Sequence, residues 1–261
     1  MTDINKWWIS LNEFWKKTIS VHISLHDRGV TYERVLESKQ YSNEEIGSIY
    51  QTIFDEEFQD PSIIDFDKAL SLNFIYLRSI FHEGRHYNHE ITDIRPLAIL
   101  NQLEIIDFSF NAVADLTPIN NFRNLKVLHF ECNCVDSIDS LVNLNNLIDL
   151  NFGRNKVHDL SPLQNKQWLR SLKCEQNPIN SLKPIQNMTR LEELYCSDET
   201  GSNGCYIDIE DLNYLANLKN LKKLSIYNPR LENSLILNSV TGQPDPMEKL
   251  QSLIGDLKII R

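Results

Sequence analysis

The chain has 261 residues, is 41% hydrophobic and 24% charged, and carries a net charge of −10. That is the make-up of an ordinary folded domain; no apolar run approaches the ~18 residues of a membrane span, and the acidic balance argues against a phosphate-backbone binder. The charge favours solubility or a neutral or basic protein partner. Five cysteines (Cys132, Cys134, Cys174, Cys196, Cys205) form no C-x-x-C pair, and MTDINKWWISLNEFWKK shows no secretory pattern. Both features point to reduced thiols and a cytoplasmic location.

Taken in order, residues 4–19 read as one amphipathic helix, with Ile4, Trp8, Leu11, Trp15 and Ile19 on a single stripe. With Trp7 nearby, that stripe suggests a hydrophobic plug, either a helical cap or a partner site. Ser42-Asn-Glu-Glu45 is a capping box opening a second helix through Ile46, Ile49, Tyr50 and Ile53, which ends before Asp60-Pro61. These elements compose an N-terminal helical cap over residues 1–76.

From Leu77 the chain repeats. Leu103, Leu125, Leu147 and Leu169 open four ungapped copies of 22 residues, with apolar side chains at positions 3, 5, 10, 13 and 16 after each opening leucine. Position 8 is always asparagine: Asn111, Asn133, Asn155 and Asn177. Positions 2 to 6 alternate out and in, which predicts strands at 105–109, 127–131, 149–153 and 171–175 in one parallel sheet. The inward residues of one repeat cannot be buried alone, so stability comes from stacking on neighbours. Pro118, Pro162 and Pro184 suit a return path of 3₁₀ turns that needs no ladder hydrogen bond. An irregular copy begins at Leu77, its four extra residues falling within 83–90. Another begins at Leu191, with an insertion around 198–206, and Leu221, Leu224 and Ile226 give a last strand. The repeats thus span residues 77–228. Asp245-Pro246 then caps a helix carrying Leu250, Leu253, Ile254 and Leu257, a C-terminal cap over 229–261.

This pattern, L-x-x-L-x-L-x-x-N-x-L with Asp115-Leu-Thr-Pro118-Ile and Asp159-Leu-Ser-Pro162-Leu, resembles the leucine-rich repeat of the internalin type. The resemblance implies an α/β solenoid: a right-handed superhelix with one parallel sheet on its concave face and helical caps at both ends. It also implies binding of other proteins, without implying the export or host-cell invasion of surface internalins.

One string has enzyme-like form. His82-Glu-Gly-Arg-His86 matches H-E-x-x-H, in which two histidines on one helix face hold zinc. Here it starts at a strand position and contains Gly84, so no metal, cofactor or catalytic residue is assigned, and a zinc hydrolase is the remote alternative. Cys174 and Cys196 share an inward position and read as small core filler. The outward strand positions and their borders supply the candidate binding residues: Phe81, Asp107, Phe110, His129, Glu131, Asp149, Asn151, Arg154, Lys173, Tyr195 and Tyr227. The expectation is a non-enzymatic, cytoplasmic bacterial module, monomeric, that binds a protein or peptide through this concave face and neither nucleic acid nor membrane. The alternative is an inhibitor or immunity protein masking a basic toxin or enzyme.

Overall fold

In the computed structural model the described residues are 3–27, 66–72, 74–76, 81–82, 85–86, 91–198, 207–227, 233, 245–255 and 257–260. The chain opens with helices α1 (Asp3–Ser10), α2 (Glu13–Asp27) and α3 (Phe66–Ser71). Strand β1 (Phe74–Tyr76) follows, then a two-stranded antiparallel hairpin of β2 (Phe81–His82) and β3 (Arg85–His86). The repeats supply β4 (Ile105–Asp107), β5 (Val127–His129), β6 (Asp149–Asn151), β7 (Ser171–Lys173) and β8 (Glu193–Tyr195). After the short helix α4 (Leu212–Leu215) come β9 (Lys223–Ser225), α5 (Pro246–Ile254) and β10 (Lys258–Ile260). Among the described residues, one parallel sheet runs β1-β4-β5-β6-β7-β8-β9-β10, an open solenoid sheet.

The 22-residue register is the sheet register: Ile105 pairs with Val127, Val127 with Asp149 and Asp149 with Ser171. The regular strands are three residues long rather than the five expected, yet backbone pairing continues past them. Phe108 N–H donates to His129 O at 2.9 Å, and Phe110 N–H to Glu131 O at 2.7 Å. At position 7 of every regular repeat the backbone turns left-handed, with φ of 61° at Phe110, 52° at Cys132, 56° at Arg154 and 53° at Gln176. That conformation is unfavourable for a side-chain-bearing residue and persists here because the flanking hydrogen bonds hold it.

Each asparagine at position 8 fastens that turn to two coils. Asn155 Nδ2 donates to Phe130 O, Phe152 O and Gly153 O at 2.9, 3.0 and 3.2 Å, while its Oδ1 accepts from Val135 N–H at 3.0 Å. Asn133 and Asn177 repeat the arrangement one coil either side. Inside, Phe108, Phe130 and Phe152 stack with ring centroids 5.7 Å apart, and the column continues in buried Cys174 and Cys196. The opening leucines and the inward positions after them are buried almost completely, each contributing about 1.5–3 kcal/mol. Position 19 is also inward (Phe122, Leu144, Met188), a position outside the repeat pattern expected from the sequence. The return path is 3₁₀ as expected, at Thr117–Ile119, Asp139–Leu141, Ser161–Leu163 and Lys183–Ile185. Its starts are held locally: Asp115 Oδ1 accepts from Thr117 N–H at 2.8 Å and Asp159 Oδ1 from Ser161 N–H at 2.7 Å.

Several expectations change. The first coil starts at Leu72, not Leu77, because Phe74 pairs with Ile105 and Ile75 with Ile106. Leu72 and Ile75 are both fully buried, and Leu72 N–H bonds Ala69 O at 3.4 Å as Leu103 N–H bonds Leu100 O at 3.1 Å. The clue was present, since Leu72, Ile75 and Leu77 fill positions 0, 3 and 5 with apolar residues, whereas the Leu77 register put His82 inward. The His82–His86 string therefore crosses the β2–β3 hairpin, with Phe81 opposite His86 and His82 opposite Arg85. It does not run along a helix, so the zincin register is absent. The N-terminal helix is two helices, because Asn12 Oδ1 accepts from Trp15 N–H at 3.0 Å and starts α2 afresh. Trp8, Leu11, Trp15 and Ile19 are buried in the continuous core, and Trp7 Nε1 donates to Pro96 O at 3.0 Å. The last helix stops at Ile254: Gly255 takes φ 77°, and Leu257 leads into β10 instead. The second helix expected at 46–53 and most of the 198–206 insertion lie outside the described residues.

Candidate protein-binding face

The outer face of the sheet is built from columns of side chains, one per coil. Across β4, β5 and β6 it brings three titratable groups together. His129 Nδ1 lies 3.8 Å from Asp107 Oδ2, and His129 Nε2 lies 3.2 Å from Asp149 Oδ2. Burial opposes a charge on His129, but the two carboxylates more than offset it and push its pKa up to about 9. That shift favours a cationic imidazole at neutral pH, set between carboxylates of the coils on either side. Burial raises the Asp149 carboxyl, yet His129, Ser171 and Lys173 together hold it below the ordinary range.

One column over stand Glu131, Gly153 and Glu175. A side chain at 153 would begin 3.4 Å from Glu175 Cγ and Cδ, so the missing one lets the Glu175 chain lie back over β6. Burial first, and Glu131 second among the causes that act upward, raise the Glu175 carboxyl above its usual range. Its Oε2 is buried and has no hydrogen-bond partner among the described residues. Glu131 Oε2 accepts from Asn151 Nδ2 at 3.3 Å, and Asn151 Oδ1 accepts from Gly153 N–H at 3.1 Å. Toward β8 the face turns to Lys173 Nζ over the Tyr195 ring at 5.7 Å, and to a Lys223–Glu193 pair at 2.6 Å.

No protein-family model and no curated protein sequence matches the chain. Solved structures do. An internalin (inlF) of Listeria monocytogenes is 22% identical with a TM-score of 0.55, over 75% of this chain and 50% of that one. Internalin C2 (inlC2) of the same organism is 18% identical with a TM-score of 0.58, over 78% of this chain and 77% of that one. The fold is that of a leucine-rich-repeat protein. A leucine-rich-repeat protein of Leptospira interrogans adds a third likeness, 17% identical with a TM-score of 0.52 over 75% of this chain and 44% of that one. The chain thus spans about half the length of the first internalin.

In this leucine-rich-repeat fold most of the candidate residues lie on one face of the sheet or at its border. His129, Glu131, Asp149, Asn151, Lys173 and Tyr195 sit half-buried on β5–β8 or just beyond them, Arg154 is exposed at their border, and Phe110 and Tyr227 are half-buried. Two expectations fail. Phe81 lies in the hairpin and not in the sheet, because the first coil begins five residues earlier. Asp107 is not open to a partner: it is 2% exposed, and its Oδ1 accepts from Ser109 N–H at 2.9 Å. Glu175 and Gly153 adjoin these residues and are not among the candidates the sequence supplied; the signal was the acid–glycine–acid order at one outward position of successive repeats. Among the described residues no group of three His, Cys, Asp or Glu side chains is placed to hold a metal ion, and no helix is long and apolar enough to cross a membrane.

Proposed function

We infer that this protein is an interaction module whose concave face takes a basic segment of a partner protein. The observation that carries the reading is the Glu131–Gly153–Glu175 column. Two carboxylates stand on alternate coils either side of a glycine, and one of them has a buried oxygen with no hydrogen-bond partner among the described residues. An arginine or lysine of the partner would supply a donor for that oxygen and would stabilise the Glu175 carboxylate against the burial, and the smaller repulsion from Glu131, that raise it. Tyr195, Phe110 and Tyr227 at the margins offer aromatic contact area that is already half-buried and so loses little side-chain entropy. The repetition of the fold makes such a face wide and rigid, which suits recognition of an extended segment.

The test is affinity for a purified partner across salt concentration. Glu131→Lys and Glu175→Lys weaken binding more at low than at high ionic strength, since screening removes the difference. Tyr195→Ala weakens it with little salt dependence. Asp149 is unsuitable for reversal, because a cation there would face the protonated His129 at 3.2 Å and disturb the fold. Unchanged affinity in folded Glu131→Lys and Glu175→Lys variants would remove the concave face from the reading.

A further inference from the structure

The repeat is regular enough that departures from it stand out, and three of them meet on one edge of the solenoid, where the chain enters the strands. Position 1 carries an alternating charge row: Lys126 pairs with Glu104 at 2.8 Å, and Glu192 pairs with Lys222 at 2.6 Å and Arg170 at 3.5 Å. Ile148 interrupts the row and is 39% exposed. Position 19 is core in the neighbouring coils (Phe122, Leu144, Met188), yet the third coil places Lys166 there, with no exposed surface. Its ammonium donates to Val142 O at 2.8 Å and Asn145 Oδ1 at 3.2 Å, and burial lowers its pKa to about 8. Two residues on, Trp168 stands at a position that joins neighbouring coils in two other places. Asn146 there donates to Arg123 O at 2.7 Å in the preceding coil, and Asn220 donates to Thr189 O at 2.6 Å. Trp168 gives up that inter-coil bond and presents an indole that is 52% exposed, with Arg190 Cζ stacked 3.8 Å from the ring centroid.

Lys166 still bonds the preceding coil, whereas the other two replacements give up polar pairing between coils. An exposed tryptophan in place of a hydrogen-bonding asparagine, and an isoleucine in place of an ion-pairing charge, both sacrifice stacking interactions for apolar surface. The surrounding charge is also unlike the rest of the molecule. Segments 98–104, 120–126, 142–148, 164–170 and 186–192 carry Arg123, Lys126, Lys166, Arg170 and Arg190 against Glu104 and Glu192, five cations less two carboxylates, a net +3 in a chain of −10.

We propose that this edge, centred on the Trp168–Arg190 pair and carrying Ile148, Arg170 and Arg123 at neighbouring repeat positions, is a second interaction surface, for an acidic segment of a partner protein that inserts an apolar or aromatic side chain against the indole. Tryptophan and arginine are the residue types that most often dominate interface energetics, and the exposed cations match carboxylates flanking that anchor. The occupant is a protein segment rather than nucleic acid. Glu104 and Glu192 neutralise cations in the row and leave discrete positive sites around an apolar centre, whereas a nucleic-acid strand requires an unbroken basic track. This surface is separate from the concave face, whose carboxylates select the opposite charge.

The experiment selects a random-peptide display library on the wild-type protein and titrates the enriched peptides by isothermal titration calorimetry, a readout that does not depend on Trp168. In the wild-type protein Trp168 fluorescence is a second readout, since Trp8 and Trp15 are buried and Trp7 is half-buried. The variant is Trp168→Asn, which places at 168 the residue found at 146 and 220 and so keeps the fold; its thermal unfolding is compared with wild type. The expected result is a family of peptides in which acidic residues flank an aromatic or apolar residue. Their affinity falls on the order of thirtyfold in Trp168→Asn, the scale of an interface hot spot, and severalfold in Arg190→Gln. It is unchanged in Leu253→Asn, another exposed apolar side chain. A selection that enriches no acidic peptides, or peptides that bind folded Trp168→Asn as they bind wild type, overturns the proposal. So does tighter Trp168-dependent binding of a single-stranded oligonucleotide. Self-association lost in Trp168→Asn, without peptide binding, assigns the edge to a second copy of the chain and also overturns it.

Discussion

Replacing His129 by glutamine isolates one charge at the centre of the sheet. Glutamine keeps a polar, hydrogen-bonding side chain between Asp107 and Asp149 but cannot be protonated. In the folded protein His129 is raised from 6.5 to about 9. A group whose folded pKa lies above its unfolded value stabilises the fold fully below the unfolded pKa, and that stabilisation is lost as pH rises through the folded one. The shift corresponds to about 3 kcal/mol, in line with the loss expected when a buried charge is deprived of its partner. Wild type should therefore exceed His129→Gln by about 3 kcal/mol below pH 6.5, and the gap should close as pH passes 9. Denaturant unfolding followed by circular dichroism measures the gap, and NMR titration of the imidazole gives the folded pKa directly. A gap that stays constant across the range, or an imidazole titrating near 6.5, would refute the bridging of three coils by a protonated His129.

Lys166→Met should stabilise the protein by roughly 1–3 kcal/mol near neutral pH, because an apolar side chain suits that core position better than a lysine without a carboxylate. The folded pKa of Lys166 is lowered to about 8, so wild type regains this loss as pH rises from 8 toward 10.5, and denaturant midpoints at both ends of that window check the sign. His22 is pushed down to about 4 by burial, its Nδ1 lying 2.7 Å from Thr18 O. Between pH 6.5 and 4 the unfolded chain takes a proton that the folded chain refuses, so wild type should lose about 3 kcal/mol over that window and His22→Gln should lose correspondingly less. Asn155→Ala removes the acceptor of Val135 N–H and the donor to three carbonyls. It should cost at least about 3 kcal/mol in urea unfolding, and more than Asn111→Ala, whose side chain is only half-buried.

The sequence by itself determined the coil. With four copies in register, every position from the opening leucine to the asparagine is sampled four times, so inward residues, ladder and proline-started turns separate from noise by repetition alone. Most of the concave face was legible for the same reason, since a strand shows alternate side chains to one side and Glu131, Asn151 and Lys173 fall on that side by counting. Where repetition stops, counting failed. The first coil was misplaced by five residues, because one irregular copy gives no second sample to choose between Leu72 and Leu77. Only the tertiary structure decided what neighbouring coils do to one another's side chains: that Asp107 is covered, that His129 is charged between two aspartates, that Glu175 lies across Gly153, and that Lys166 turns inward while Trp168 stays out. Those are distances between coils 22 residues apart in the chain, and they depend on how coils stack and which side chain is missing from the coil between, neither of which a pattern within one repeat contains.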